Sequence, residues 1–198
     1  MTGKVLVVYS EVKHCKREGN DSSREHGMSV ESSESWRVRL AELMTRQNDG
    51  RCVVVVGIGH EFKGDDYVGS LVAKDLGRSR KAGRQVVIVD AESSPENITK
   101  VLDENRPRLL ILIDAIDAGH PPGSISLMDI SETTYPFFGT HSLPLRILLE
   151  MSPEIPKTVL LGIQSASHEF GMPLSSEVAM AESQIVMELG SLIEKLRG

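Results

Sequence analysis

Downstream of residue 50, short and wholly apolar runs alternate with longer stretches in which apolar residues recur every three or four positions. Wholly apolar runs of Val, Ile and Leu are typical of strands buried on both faces of a parallel sheet. They predict core strands at 52–57, 86–89, 109–113 and 158–163, and an alternating pattern predicts a half-buried strand at 125–130. Strands that alternate with helices predict an α/β fold: a three-layer sandwich with about five strands in a mostly parallel, twisted sheet and helices on both faces.

The stretches with helical spacing predict five helices. They cover 36–44, 65–76, a segment that begins at Pro95, 142–151 and 174–196. In the first of these, Trp36, Leu40 and Met44 fall on one face, which should pack on the core.

The first 35 residues have a different composition. A β-like run at 4–9 is followed by residues 10–35, which contain 7 serines and no Leu, Ile, Phe or Tyr. Such a segment buries too little apolar surface to order itself. We therefore predict a partly disordered N-terminal extension at 1–35, whose His14, Cys15 and His26 are solvated, and a single domain at 36–198 that begins with a leading helix at 36–50.

Composition excludes several classes of partner. The formal net charge is −6 and the pI is about 5.5, which argues against nucleic acid and anionic membranes. No apolar run approaches the roughly 18–20 residues needed to span a bilayer. Two cysteines form no disulfide framework. These features predict a cytoplasmic protein without a membrane span.

Acidic residues follow two of the predicted strands. The segment 53–69 reads VVVVGIGHEFKGDDYVG, in which Asp65 and Asp66 come after a strand and a glycine loop, and Asp114 follows the strand at 109–113. The carboxyl ends of parallel strands meet at one edge, where ligands bind in open α/β sheets. Asp65 is predicted to be a helix N-cap. Two unpaired acids, Asp66 and Asp114, would need a shared proton or a cation.

His141, at the start of another predicted helix, could join this pair. One imidazole and two carboxylates make an incomplete site for a borderline divalent ion, with room for water or substrate. The alternative is that all three residues are unrelated helix caps.

Other motifs give only weak signals for nucleotide binding or for a catalytic serine. The glycine loop lacks the third glycine of a dinucleotide fingerprint and the lysine of a phosphate-binding loop. Ser165 and Ser167 lack a nucleophile-elbow pattern. His120 and His168 are expected to face solvent. His60 stays a candidate site residue because it lies in the glycine loop.

Residues 57–69, GIGHEFKGDDYVG, resemble the motif GxGNxxxxDDxxG of the nickel–iron hydrogenase maturation endopeptidases. The resemblance continues through PEN at 95–97, PRLLILIDA at 107–115, IDAGHPPG at 116–123, THSLPL at 140–145, LGIQ at 161–164 and LSSEV at 174–178. It is greatest to the hydrogenase 3, or formate-hydrogenlyase, branch, in which a helix often precedes the first strand.

The resemblance implies a cytoplasmic, aspartic-type or metal-dependent endopeptidase, expected to be a monomer. Its substrate would be the hydrogenase large-subunit precursor, which loses a C-terminal extension after nickel insertion. Asp66 and Asp114 would be catalytic, and together with His141 they would be metal ligands. Gly59 and His60 would bind substrate. Nickel would be supplied by the substrate, and zinc or cadmium could replace it in vitro.

The resemblance leaves the chemistry open. Nickel could act as a Lewis acid or water activator on these ligands, or the carboxylates could act as acid and base. Two departures from the motif, His60 in place of Asn and Tyr67 in place of a small residue, leave a non-catalytic module that binds the metallated precursor as the alternative. A purely structural α/β domain is a third hypothesis.

Overall fold

Five strands form one sheet at the centre of the molecule in the computed structural model, which describes residues 35–46, 50–78, 85–94, 96–130 and 156–196. The strands are β1 (Val53–Ile58), β2 (Val86–Glu92), β3 (Leu109–Ile116), β4 (Ile125–Asp129) and β5 (Lys157–Gln164). Their order is β2-β1-β3-β5-β4, and all pairs are parallel except β4 with β5. The predicted mostly parallel sheet of five strands is confirmed.

In the described residues, four helices cover the two faces of this sheet. They are α1 (Ser35–Thr45), α2 (Val68–Arg78), α3 (Glu96–Asn105) and α4 (Ser176–Lys195). Successive strand residues point to opposite faces, so Val53 and Val55 pack in the core under α1, α2 and α4, while Val54 and Val56 pack in the core under α3. The result is the predicted three-layer sandwich. In the described part of the chain, no helix is both long and apolar enough to cross a bilayer.

The helix predicted at 36–44 is present as α1 and packs on this core. Trp36, Leu40 and Met44 of α1 are buried in the core. Arg108, just before β3, donates hydrogen bonds to the carbonyl oxygens of Leu43 (3.0 Å) and Met44. These carbonyls lie in the last turn of α1, where acceptors lack helical partners, so Arg108 fixes the end of the helix to the sheet.

Two predicted boundaries near the acidic residues are wrong. β3 does not end before Asp114, because its pairing with β5 continues to the pair of Ile116 with Gln164. The predicted helix at 65–76 begins as a 3-10 helix at Gly64–Tyr67, and the α-helix starts only at Val68. The predicted β-like run at 4–9, the loop before His141 and the helix at 142–151 lie outside the described residues.

Candidate active site

Asp66 and Asp114 lie at the carboxyl edge of the sheet. Gly57 of β1 is level with Ile113 of β3, so Asp114 comes level with the end of β1. Asp66 belongs to the 3-10 helix Gly64–Tyr67 that follows β1 and contacts β3. Both side chains are buried, with 0% and 5% of the residue exposed. The structure therefore places at one edge two acids that are 48 positions apart in the sequence.

Glycines allow the segment with Asp66 to lie directly on the strand ends. A Cβ atom at Gly59 would be 2.0 Å from the carbonyl oxygen of Asp66, and one at Gly69 would be 2.1 Å from the carbonyl oxygen of Ile113. Any side chain at either position would push this segment away from the sheet. Gly59 is thus required for the geometry around Asp66, and its predicted contact with substrate stays a prediction.

A backbone amide orients each of the two carboxylates. The amide of His60 donates to Oδ2 of Asp66 (3.0 Å), and the amide of Ala115 donates to Oδ1 of Asp114 (2.9 Å). A carboxylate presents about four lone-pair positions. The amide bond fixes the direction of each carboxylate and is compatible with coordination of a metal or contact with a substrate.

Asp65 has a different role from the predicted N-cap. Its carboxylate accepts hydrogen bonds from the amides of Ala166 (2.7 Å), Ser167 (3.0 Å) and Ser175 (2.6 Å) and from the hydroxyl of Ser175 (3.1 Å). Burial alone would raise the pKa of Asp65, but these donors lower it below its usual value. The N-cap prediction is wrong because Asp65 binds the loop between β5 and α4 and makes no capping bond within its own helix.

That loop brings a histidine next to Asp66. Nδ1 of His168 is 4.0 Å from Oδ1 of Asp66, and Nε2 of His168 is 2.8 Å from the hydroxyl oxygen of Ser165. The ring is partly exposed, as predicted, but it also lies beside Asp66, which the sequence did not indicate. The available signal was its position just after β5, whose carboxyl end meets those of β1 and β3.

Another buried acid, Asp90 near the end of β2, was missed. Ser70 donates its hydroxyl to Oδ1 (2.7 Å), and Nζ of Lys74 is 3.4 Å from Oδ2. Lys74 also donates to the hydroxyl of Tyr67 (3.1 Å) and lies 4.8 Å from the centre of its ring. Burial would lower the pKa of Lys74, but Tyr67 and Asp90 raise it. Tyr67, a departure from the motif, is therefore engaged with Lys74.

Another part of the edge is held by Gln164 at the end of β5. Its Oε1 accepts hydrogen bonds from the amides of Ala118 (2.8 Å) and His120 (3.2 Å). These bonds fix the loop after β3 beside the edge that carries Asp114.

The third predicted ligand, His141, lies outside the described residues. Among the residues that are described, no three His, Cys, Asp or Glu side chains are grouped so that they could hold a metal ion. A complete metal centre at Asp66 and Asp114 would therefore need a ligand from elsewhere in the chain or from the substrate.

Comparison with known proteins gives one consistent result. The sequence profile of a hydrogenase maturation protease family, HycI, matches residues 70–191. The hydrogenase 3 maturation protease of Escherichia coli K12 is 30% identical over 138 residues, which cover 69% of this chain and 87% of that protein.

Comparison with solved structures agrees with the sequence comparison. The crystal structure of a [NiFe] hydrogenase maturation protease HycI from Thermococcus kodakarensis superposes with a TM-score of 0.68 at 25% identity and covers 79% of this chain and 99% of that one. The solution structure of the endopeptidase HycI from Escherichia coli gives a TM-score of 0.61 at 29% identity, with 74% and 92% covered.

Proposed function

Because the chain belongs to the hydrogenase maturation protease family, we propose that it is an endopeptidase that removes a C-terminal extension from the nickel-loaded large-subunit precursor of a [NiFe] hydrogenase. The observation that carries the proposal is the pair of buried acids, Asp66 and Asp114, at one edge of the sheet. Hydrolysis of a peptide bond needs an activated water and a group that stabilises the developing charge. The two acids at this edge can supply these functions as a general base and a protonated general acid, or through a metal.

The proposal assigns nickel to the substrate. Nickel held by the precursor would dock onto Asp66, Asp114 and His141, a set of oxygen and nitrogen donors that suits a borderline divalent ion. There it would position the scissile bond and polarise its carbonyl or a water. The competing mechanism keeps the same residues but uses the two carboxylates as acid and base, so that nickel serves recognition alone.

His60 and Gly59 complete the proposed substrate contacts. Nδ1 of His60 accepts a hydrogen bond from the amide of Phe62 (3.2 Å). In a neutral imidazole whose Nδ1 accepts, Nε2 carries the proton. His60 can therefore offer one donor to the substrate, as the Asn that is usual in the motif would. A cytoplasmic location and a monomeric state belong to the same proposal.

A non-catalytic binding module is not favoured. The matched family and the relatives of this chain are described as maturation proteases or endopeptidases, which favours cleavage over binding alone. Tyr67, which motivated this alternative, makes a hydrogen bond and a ring contact with Lys74.

Cleavage of the nickel-loaded precursor tests the proposal. The wild-type protein should shorten the precursor by its C-terminal extension, and mass spectrometry should detect both fragments. Asp66→Asn should reduce the rate by at least about 100-fold, because an amide is a poor ligand and no base. Asp75→Asn, at an exposed ion pair with Arg78, is the matched control and should cleave at the wild-type rate. An intact precursor after incubation with wild-type protein would contradict the proposal.

A further inference from the structure

Two exposed phenylalanine rings stand beside the candidate active site. Phe62 lies in the loop between β1 and Asp66, Phe170 lies in the loop between β5 and α4, and they are 56% and 71% exposed. Their ring centres are 6.1 Å apart, and they lie 6.0 and 6.4 Å from the ring of His60. We call His60, Phe62 and Phe170 the aromatic patch. Met172, two positions beyond Phe170 in the same loop, is also exposed.

The two loops that carry the aromatic patch are fixed to each other. The amide of Gly171 donates to the carbonyl oxygen of Phe62 (2.8 Å). The four hydrogen bonds that Asp65 accepts hold both ends of the second loop, at residues 166–167 and at Ser175. A surface that is already assembled loses little conformational entropy when it binds a ligand. The aromatic patch therefore has the rigidity of a binding surface, although its residues lie in loops.

The aromatic patch is continuous with the reacting edge. The backbone of His60 holds the Asp66 carboxylate, while its ring contacts both phenylalanines. An extended polypeptide advances about 3.3 Å per residue. A peptide bond held at Asp66 would thus place side chains a few residues away over the aromatic patch.

We propose that the aromatic patch binds an apolar side chain of the large-subunit precursor within a few residues of the cleaved bond, and that Phe62 and Phe170 thereby determine part of the substrate specificity. The inference rests on the proposed function, which brings a polypeptide to Asp66. Exposed apolar side chains grouped beside a reacting centre are typical of binding surfaces, and aromatic residues contribute strongly to binding. In a chain of net charge −6, this anchor would hold the precursor independently of charge.

Steady-state kinetics with the nickel-loaded precursor test this assignment. The double variant Phe62→Ser, Phe170→Ser should raise KM about tenfold and leave kcat within about twofold, because it removes binding contacts away from the reacting atoms. The double variant Phe62→Leu, Phe170→Leu keeps apolar side chains and should retain most of the affinity. Met187→Ser is the matched control, because Met187 is 62% exposed on α4 and lies 11 residues after the helix begins. It should leave both constants unchanged.

Several results would overturn the inference. One is an unchanged KM in the serine double variant while wild type cleaves. Another is a lower kcat with KM unchanged, which would assign the rings to the chemistry. A wild-type dimer that the serine variant dissociates, with KM unchanged, would identify the aromatic patch as a contact between two copies.

Measurements of precursor binding distinguish a failure of this inference from a failure of the proposed function. If wild type binds the precursor but does not cut it, the endopeptidase proposal fails. Tenfold weaker binding of the serine double variant, measured by surface plasmon resonance, would then still support the aromatic patch. Equal binding of the precursor by wild type and by the serine double variant would overturn the inference on the aromatic patch as well.

Discussion

Asp65 and Asp66 are neighbours in the sequence with identical side chains and different partners. Asp65 accepts four hydrogen bonds from the loop between β5 and α4. Asp66 accepts a hydrogen bond from the amide of His60, at the carboxyl end of β1, and lies 4.0 Å from His168. The first acid thus holds the loop that carries His168 and Phe170, and the second faces the residues that this loop brings to the edge.

Replacement of Asp65 by Asn should destabilise the protein. The amide has one acceptor oxygen and no charge, so it cannot satisfy four donors that a carboxylate satisfies. Hydrogen bonds to charged groups contribute about 1.5–3 kcal/mol each, and we expect a loss of roughly 3 kcal/mol in the free energy of unfolding. Urea denaturation measures this loss, and Asp75→Asn should change the same quantity by less than about 0.5 kcal/mol.

The difference in stability between wild type and Asp65→Asn should depend on pH. The pKa of Asp65 is lower in the folded protein than its usual value. Such a group stabilises the fold at pH values above its unfolded pKa, about 4, and this stabilisation is lost as the pH falls through the folded pKa. The difference between wild type and Asp65→Asn should be constant from about pH 7 to pH 5 and shrink below about pH 4. A difference that stayed constant at lower pH would show that the charge of Asp65 does not hold the loop.

Among the elements, α1 shows how a segment outside the family profile is joined to the domain. The profile begins at residue 70, but α1 buries Trp36, Leu40 and Met44 in the same core as α2 and α4. Arg108 binds the carbonyl oxygens at its end. We infer that α1 belongs to the folding unit.

Substitution of Leu40 by Ala tests this inference. Leu40 is fully buried, and the loss of such a side chain from a core costs about 2–5 kcal/mol through lost burial and the cavity that remains. Val38→Ala is the matched control on the same helix, because Val38 is 59% exposed, and it should change stability by less than about 0.5 kcal/mol. Equal, small effects in thermal or urea unfolding would mean that α1 unfolds separately.

At the scale of the whole molecule, the sheet could be predicted because each core strand is a wholly apolar run flanked by polar residues. The end of β3 could not be predicted from the sequence. Asp114 interrupts the apolar run, yet the backbone bonds to β5 continue to Ile116 because Gly162–Gln164 on β5 extend beside it. Glu182 of α4 is buried, although a charged residue is seldom found on the buried face of a helix.

The site was predictable only in part, for a related reason. Asp66 and Asp114 follow strand patterns that can be read locally, and parallel pairing implies that they share an edge. The partners of Asp65 are 101 to 110 positions away along the chain, and no local pattern specifies them. His168 and Asp66 are similarly far apart along the chain, and so are Phe62 and Phe170. These contacts could not be predicted from the sequence either.

In the proposed site, Asp66, Asp114 and His141 surround one point where the metal of the precursor docks. A crystal structure of the protein soaked with Zn²⁺, with the metal located by anomalous scattering, tests it most directly. We predict one zinc ion about 2.0–2.2 Å from a carboxylate oxygen of Asp66, a carboxylate oxygen of Asp114 and a ring nitrogen of His141. A zinc ion bound elsewhere, or a structure in which the three side chains lie on different faces of the molecule, would contradict the claim.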